Sequence, residues 1–170
     1  MEIERKFTVR KLPDNLDSYP FHIIEQAYLN TDPVVRIRRE DDAFYLTYKG
    51  KGMMAREEYN LPLNKDSYYH LLEKADGNII SKKRYLIPLK NPQFTGQNTQ
   101  PPEGYSLTIE LDVFAKPFAP LIMAEVEFGS KIAAETFLPP DWFLEDVTYD
   151  PAYHLSLIHI SEPTRLLSIS

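Results

Sequence analysis

Pairs of carboxylates two residues apart occur on three of the segments that alternate like β-strands. The pairs are Glu2 with Glu4, Glu110 with Asp112, and Glu125 with Glu127. On a β-strand, side chains two residues apart lie on one face, so each pair would present its oxygens together. Carboxylates at close range bind hard divalent cations such as Mg²⁺ or Mn²⁺. Metal binding is therefore one chemistry that these residues would support.

Basic side chains follow the same spacing on other segments. They are Arg36 with Arg38, Lys49, and Lys82 with Arg84. Arginine and lysine bind the oxygens of polyanions. A metal beside a polyanion indicates phosphate chemistry, in which a nucleophile attacks phosphorus with the help of the metal.

A half-exposed antiparallel strand also alternates charged and apolar residues, and Arg and Glu on neighbouring strands are often ordinary cross-strand pairs. Two features favour an enclosed site instead. The charges are sorted by sign from segment to segment, and the opposite faces at 44–48, 109–113 and 124–128 are apolar. If those apolar faces pack outward against helices, the charged faces line the inside of a barrel.

The elements that would position these side chains are mostly strands. Period-2 patterns predict strands at 2–9, 23–30, 34–40, 43–49, 55–61, 84–89, 105–114 and 122–128. Helices are predicted from Asn64 to Ala75 and from Ser130 to Phe137, with Asn64 and Ser130 as N-caps. Residues 90–104 are predicted to form a long surface loop. The pattern indicates an α+β protein, with helices outside a barrel or sandwich.

The composition argues against several classes of partner. The chain has 170 residues, a formal net charge of −6 and a sequence pI of about 5.2, which argues against general nucleic-acid binding. No apolar run reaches the roughly 18–20 residues needed to cross a membrane, and the acidic start does not resemble a signal peptide. The absence of cysteine fits a reducing compartment. We therefore expect a single-domain cytoplasmic protein without nucleic-acid or membrane partners, and leave a homodimer open.

Glu2-Ile3-Glu4-Arg5-Lys6 matches the E-x-E-x-K signature of the CYTH domain, also called the triphosphate tunnel metalloenzymes. Further segments resemble that family's motifs in the same order: 35–38 (R-x-R), 46–50 (T-x-K-G), 56–58 (R-x-E), 82–85 (K-x-R-Y), 110–114 (E-x-D-x-F), 124–127 (E-x-E) and 146–148 (V-T). The likeness implies a CYTH triphosphate tunnel domain over residues 1–154. Its fold would be an eight-stranded antiparallel β-barrel with flanking helices.

The resemblance also implies roles for individual residues. The implied triphosphate ligands are Lys6, Arg36, Arg38, Lys49, Arg56, Lys82 and Arg84. The implied metal ligands, for Mg²⁺ or Mn²⁺, are Glu2, Glu4, Glu110, Asp112, Glu125 and Glu127. Catalytic roles fall on Glu4, Lys6 and Lys82. Glu58 would serve the metal or orient an arginine.

The leading functional hypothesis is a metal-dependent hydrolase of inorganic triphosphate or a small triphosphate, similar to the short bacterial members of the family. Three alternatives stay open: a class IV adenylate cyclase, a thiamine triphosphatase, and a polyphosphate-binding module without activity. The family often has R-x-E-x-E where this chain has Asn60, so one carboxylate is missing. That departure bears on the choice of substrate.

Residues 155–165 read LSLIHISEPTR. This segment resembles the conceptual translation of a transposase adapter used in sequencing libraries. We therefore interpret residues 155–170 as a non-native tail, and expect them to pack poorly against the body of the protein.

Overall fold

A computed structural model of the chain describes residues 1–96, 101 and 104–155. The strands in this part are β1 (Glu2–Val9), β2 (Phe21–Thr31), β3 (Val34–Glu40), β4 (Ala43–Lys49), β5 (Ala55–Arg56), β6 (Glu58–Leu63), β7 (Asp76–Lys90), β8 (Gln93–Phe94), β9 (Ser106–Phe114), β10 (Ile122–Glu127), β11 (Phe137–Leu138) and β12 (Phe143–Asp146). The α-helices are α1 (Lys65–Leu72) and α2 (Lys131–Thr136), and short 3₁₀ turns lie at Leu16–Ser18 and Pro151–Tyr153.

Ten of these strands form one antiparallel sheet that nearly closes on itself. Its order is β12-β1-β10-β9-β7-β2-β3-β4-β6, and β5 pairs with β1. Only Glu57 separates β5 from β6, so this short stretch joins the two ends of the sheet through the pairs Glu2–Arg56 and Ile3–Ala55. The predicted antiparallel barrel with flanking helices is confirmed as an architecture.

The strand count differs from the eight that the family resemblance implied. The predicted strand 55–61 is interrupted at Glu57, which divides it into β5 and β6. The four-residue strand β12 adds to the other side of β1 through Phe7 and Val9. A strand this short carries too few alternating residues to be recognised from its pattern.

Strand β7 is longer than predicted, and part of the predicted loop after it is ordered. The strand predicted at 84–89 is β7, which begins eight residues earlier, at Asp76. Asp76, Gly77 and Asn78 are poor strand formers, so the pairing of Asp76 with Tyr28 of β2 extends the strand against local preference. Part of the predicted loop 90–104 is ordered as β8, which pairs with β11. Residues 97–100 and 102–103 of that loop lie outside the described residues.

Both predicted helices are confirmed, with shorter ends. The Asn64 side chain accepts a hydrogen bond from the Ser67 backbone N–H at 2.7 Å, and the Ser67 hydroxyl accepts one from the Asn64 N–H, which completes a capping box. Ser130 caps α2 by accepting from the Ala133 N–H at 3.1 Å. Helix α1 packs on β3 and β4 through Tyr68, whose ring centroid lies 5.1 Å from that of Phe44. Helix α2 packs against β1.

The apolar faces of the strands point outward, as the alternation predicts. Ile3 and Phe7 of β1 join Ile109 and Leu111 of β9 in a buried cluster that extends to α2 and β12. The alternate residues on the same strands therefore face the interior of the barrel. Hydrophobic burial outside the barrel holds the charged faces in place, since buried apolar surface contributes about 25 cal/mol per Å².

A second apolar cluster, here called the floor cluster, closes one end of the interior. It contains Ile80 and Met123 of the barrel strands and Val147, Tyr153 and Leu155 of the segment after β12. Leu155, the first residue of the predicted non-native tail, is 6% exposed. Residues 156–170 lie outside the described residues, so the tail as a whole stays a prediction. No helix in the described part of the chain is long and apolar enough to cross a membrane.

Arg5 ties β1 to the elements packed outside it. Its Nη1 donates to the carbonyl oxygens of Ala134 and Phe137, both at 2.9 Å, and its Nη2 lies 2.8 Å from Asp146 Oδ2. Arg5→Ala leaves these acceptors unpaired, so we expect it to lower the free energy of unfolding by about 2–3 kcal/mol. Urea denaturation measures the change. The exposed Arg10 is the control: Arg10→Ala should cost less than about 0.5 kcal/mol, and equal losses would contradict this role for Arg5.

His154 is 6% exposed and lies beside the floor cluster, with Nε2 3.1 Å from the Thr148 carbonyl oxygen. Burial, aided by the charge of Lys6, lowers the pKa of His154 from 6.5 to about 4. As the pH falls from about 6.5 to about 4, the unfolded chain takes up a proton that the native protein does not, so this group reduces stability in that window.

Replacing His154 with Gln removes this contribution. We expect His154→Gln to lose less stability than the parent between about pH 7 and about pH 5, measured by urea denaturation at both values. The exposed His70 supplies the control, and His70→Gln should follow the parent. A parent-like pH dependence in His154→Gln would show that the histidine is not the responsible group.

Candidate active site

The interior of the barrel contains a cavity of about 380 Å³ with a strongly charged lining. Eleven of the thirteen side chains predicted as metal or phosphate ligands line it: Glu2, Glu4, Lys6, Arg36, Arg38, Lys49, Arg56, Arg84, Glu110, Glu125 and Glu127. Lys82 and Asp112 do not. The register of the strands brings these residues together from positions far apart in the sequence.

Three neighbouring strands form an acidic wall. Glu4 on β1 lies opposite Glu127 on β10, and Glu125 on β10 lies opposite Glu110 on β9. Across the cavity, β3 contributes Arg36 and Arg38, and β4 beside it contributes Lys49. Arg56 comes from β5, which pairs with β1. The predicted sorting of charges by sign is thus a division of the barrel into two walls.

The carboxylates of the acidic wall raise one another's pKa. Burial is the largest cause for Glu4, followed by the charge of Glu125. Burial also raises the pKa of Glu127, with further contributions from Glu2 and Glu4. Burial is the largest cause for Glu2 and Glu110 as well. A divalent cation among these oxygens would relieve the repulsion, so the donor chemistry fits Mg²⁺ or Mn²⁺.

The described residues contain no group of three acidic or histidine side chains that already converge as a ligand set. Glu125 also differs from the other carboxylates of the wall. Although burial opposes ionisation, the charges of Lys6 and Arg84 hold the pKa of Glu125 below its ordinary value. The donors would therefore have to draw together around a bound ion.

Arg84 is held by carboxylates on β9 and β10. Its Nη1 lies 2.6 Å from Glu110 Oε2, its Nε lies 2.8 Å from Asp112 Oδ1, and its Nη2 lies 3.3 Å from Glu125 Oε2. Arg84 Nη2 also donates to Asp112 Oδ2 at 2.9 Å. In this structure the guanidinium is paired with the acidic wall.

Lys82 and Asp112 lie behind the cavity lining and bind each other. Lys82 Nζ is 2.7 Å from Asp112 Oδ2, and the two residues are 3% and 0% exposed. Burial lowers the pKa of Lys82 to about 7 even though Asp112 favours its charged form. Both oxygens of Asp112 accept hydrogen bonds from Arg84 or Lys82. In this conformation the predicted metal ligand and the predicted phosphate ligand contact each other.

The basic residues differ in how far their charges are compensated. Lys49 Nζ lies 2.9 Å from Glu2, and Lys6 Nζ lies 3.8 Å from Glu4. Arg36, Arg38 and Arg56 form no ion pair with a carboxylate in the described part of the chain. They are the cations most available to an anion.

The lining also includes residues that were not among the predicted ligands. They are Tyr28, Val34, Glu40, Glu58, Asn60 and Leu155. Burial is the largest cause that raises the pKa of Glu2, and a hydrogen bond with Glu58 is the second. Val34 and Glu40 lie two positions from a predicted ligand on β3, and Glu58 and Asn60 lie two and four positions after Arg56 in the predicted strand 55–61. For these four the period-2 spacing carried the signal. Leu155 had no such signal.

Three comparisons with known proteins bear on this site. The CYTH domain model matches residues 1–132. The chain is 35% identical over 166 residues to the inorganic triphosphatase of Nitrosomonas europaea, covering 95% of this chain and 99% of that protein. It is 33% identical over 160 residues to the inorganic triphosphatase of Acetivibrio thermocellus, covering 89% and 88%.

Among solved structures, the fold is similar to the crystal structure of an inorganic triphosphatase, with a TM-score of 0.64 and 31% identity. That similarity covers 96% of this chain and 97% of the other. The family model, the relatives and the charged interior of the barrel agree, and the chain belongs to the CYTH domain family.

Proposed function

We propose that this protein hydrolyses inorganic triphosphate, cleaving a terminal phosphoanhydride bond with a bound divalent metal. The observation that carries the proposal is the pair of walls in one cavity, with three arginines free of carboxylate partners facing an acidic wall. A polyanion and its metal need these two surfaces at once. Two curated relatives of similar length have this activity in their names.

The basic residues would hold the phosphate oxygens. Arg36, Arg38 and Arg56 are free to do so at once, whereas Lys6, Lys49 and Arg84 would exchange a carboxylate for a phosphate oxygen. That exchange keeps each cation paired, so it avoids the cost of leaving a buried charge alone. Lys82, the remaining proposed phosphate ligand, would act on the substrate only after separating from Asp112.

The proposed metal ligands are Glu2, Glu4, Glu110, Glu125 and Glu127, with Asp112 available if it releases Arg84 and Lys82. Triphosphatases of this family are generally metal-dependent. A bound Mg²⁺ or Mn²⁺ would neutralise phosphate oxygens and make phosphorus more electrophilic.

In the proposed reaction, the oxygen of a water molecule bonds to the terminal phosphorus as the bridging P–O bond breaks. The products are phosphate and diphosphate, and the proton of the water passes to a base in the cavity. We propose Glu4 as the carboxylate that orients the water, and Lys6 as a cation that stabilises charge on the transferring phosphoryl group. Lys82, with its pKa near neutrality, is the third proposed catalytic residue. A cytoplasmic location, the absence of nucleic-acid and membrane partners, and a homodimeric form stay predictions from the sequence.

A product assay tests the reaction. The protein is incubated with Mg²⁺ or Mn²⁺ and, in parallel, with tripolyphosphate, ATP or thiamine triphosphate. We expect phosphate and diphosphate from tripolyphosphate as the fastest reaction, and no turnover after chelation of the metal. Cyclic AMP with diphosphate from ATP would identify a cyclase instead, and faster cleavage of thiamine triphosphate a thiamine triphosphatase. Binding without any turnover would identify a binding module.

Glu4→Gln tests the acidic wall. Glu4 is 5% exposed and its pKa is raised by burial and by Glu125, so loss of its charge should leave thermal stability unchanged or higher. We expect kcat on tripolyphosphate to fall by about 10²-fold or more, the range for a positioned acid–base group. Glu57→Gln is the control, because Glu57 is exposed and does not line the cavity. Full activity in Glu4→Gln would remove β1 from the site.

A further inference from the structure

Gln26 is completely buried, at 0% exposure, on the second strand of the barrel. Its Oε1 accepts two hydrogen bonds from Arg38, from Nε at 3.0 Å and from Nη2 at 2.6 Å. Two bonds to a single acceptor fix both the plane and the direction of the guanidinium. Arg38 lines the cavity, so Gln26 determines how one of the cavity's uncompensated cations is presented.

The other end of the same amide is unsatisfied. Within the described part of the chain, Gln26 Nε2 is buried and has no hydrogen-bond partner. An unpaired buried donor costs free energy. A glutamate at this position would have the same shape, would remove the unpaired donor and would give Arg38 a carboxylate partner, whose attraction would offset the cost of burying a second charge.

The amide differs from the carboxylate in leaving the charge of Arg38 uncompensated. That charge stands in an unfavourable place: burial, and then the charges of Arg36 and Arg84, lower the pKa of Arg38. Arg84 is also buried near other cations, but its charge is compensated by three carboxylates. Arg38 is therefore oriented by two hydrogen bonds, yet keeps its full positive charge for a ligand.

We propose that Gln26 is a positioning residue for substrate binding, which orients Arg38 through a neutral acceptor so that its charge stays available to the polyanion. This inference rests on the proposed triphosphate function, since tripolyphosphate is the ligand that it concerns. It predicts that affinity depends both on an acceptor at position 26 and on the absence of charge there.

Two substitutions separate the orientation of Arg38 by hydrogen bonds from the compensation of its charge. Gln26→Glu keeps the acceptor and the shape but compensates Arg38, so we expect the Kd and KM for tripolyphosphate to rise about tenfold or more. Its thermal midpoint should be equal to or above that of the parent. Gln26→Met releases Arg38 without adding charge, so KM should rise while the thermal midpoint does not increase. A purely structural role would instead make affinity follow stability in both variants.

The control is Asn60→Asp, which adds the same charge to the cavity lining rather than behind Arg38. Asn60 lines the cavity, and its Oδ1 accepts from the Thr47 hydroxyl rather than from Arg38. A smaller rise in Kd for Asn60→Asp than for Gln26→Glu supports local compensation of Arg38. Equal rises would show that net charge alone is responsible, and would overturn the proposal, as would parent-like affinity in Gln26→Glu.

Calorimetric titration of tripolyphosphate without metal measures Kd in the absence of turnover. If the parent binds tripolyphosphate but does not hydrolyse it, the proposed function fails while the comparison of Gln26 variants still decides the role of this residue. If the parent does not bind tripolyphosphate at all, the role of Gln26 is overturned together with the function.

Discussion

Arg84 and its three carboxylate partners are the interaction on which the interior of this barrel depends. Removing a guanidinium from water costs several kcal/mol, and only close, well-oriented carboxylates recover that cost. Glu110 and Asp112 do so from β9, the strand next to that of Arg84, and Glu125 does so from β10, the strand beyond it. The same contacts keep three like charges from repelling one another. Arg84 therefore stabilises the acidic wall from within, beside the contributions of Lys6 and Lys49.

The opposite wall follows a different rule. Its arginines lack carboxylates, and Arg38 is held by an amide. A folded protein tolerates this excess of positive charge when the free energy gained from packing elsewhere exceeds the cost of the unpaired charges. Here the strength comes from outside the barrel, where the apolar faces of the strands pack against each other and against α2. The sheet therefore encloses charged side chains on its inner face, and part of the hydrophobic core lies on its outer face.

The period-2 spacing together with the resemblance to the CYTH family predicted the barrel and eleven of the cavity-lining residues, because alternation decides which face of a strand a residue occupies. The spacing could not predict how deeply each side chain is buried relative to the cavity. Lys82 and Arg84 share a face, yet one lies behind the lining and the other in it, since burial depends on which neighbours extend past each side chain. It also could not predict pairing: nothing in the sequence distinguishes Arg84, which is compensated, from Arg38, which is not. The contribution of Leu155 depends on where the segment after β12 returns to the barrel, which no local pattern encodes.

The closure of the sheet has a mechanical consequence. β7 and β9 are joined by nine residue pairs, whereas β5 and β1 are joined by two. The turn before β5 requires Gly52, because its φ is +119° and a Cβ at this position would clash with the Ala55 carbonyl oxygen. The barrel therefore closes through the short pairing of β5 with β1, next to a turn whose conformation Gly52 fixes. Separating these two strands breaks the fewest backbone hydrogen bonds. Glu2 and Arg56, one from each wall, lie on opposite sides of this pairing.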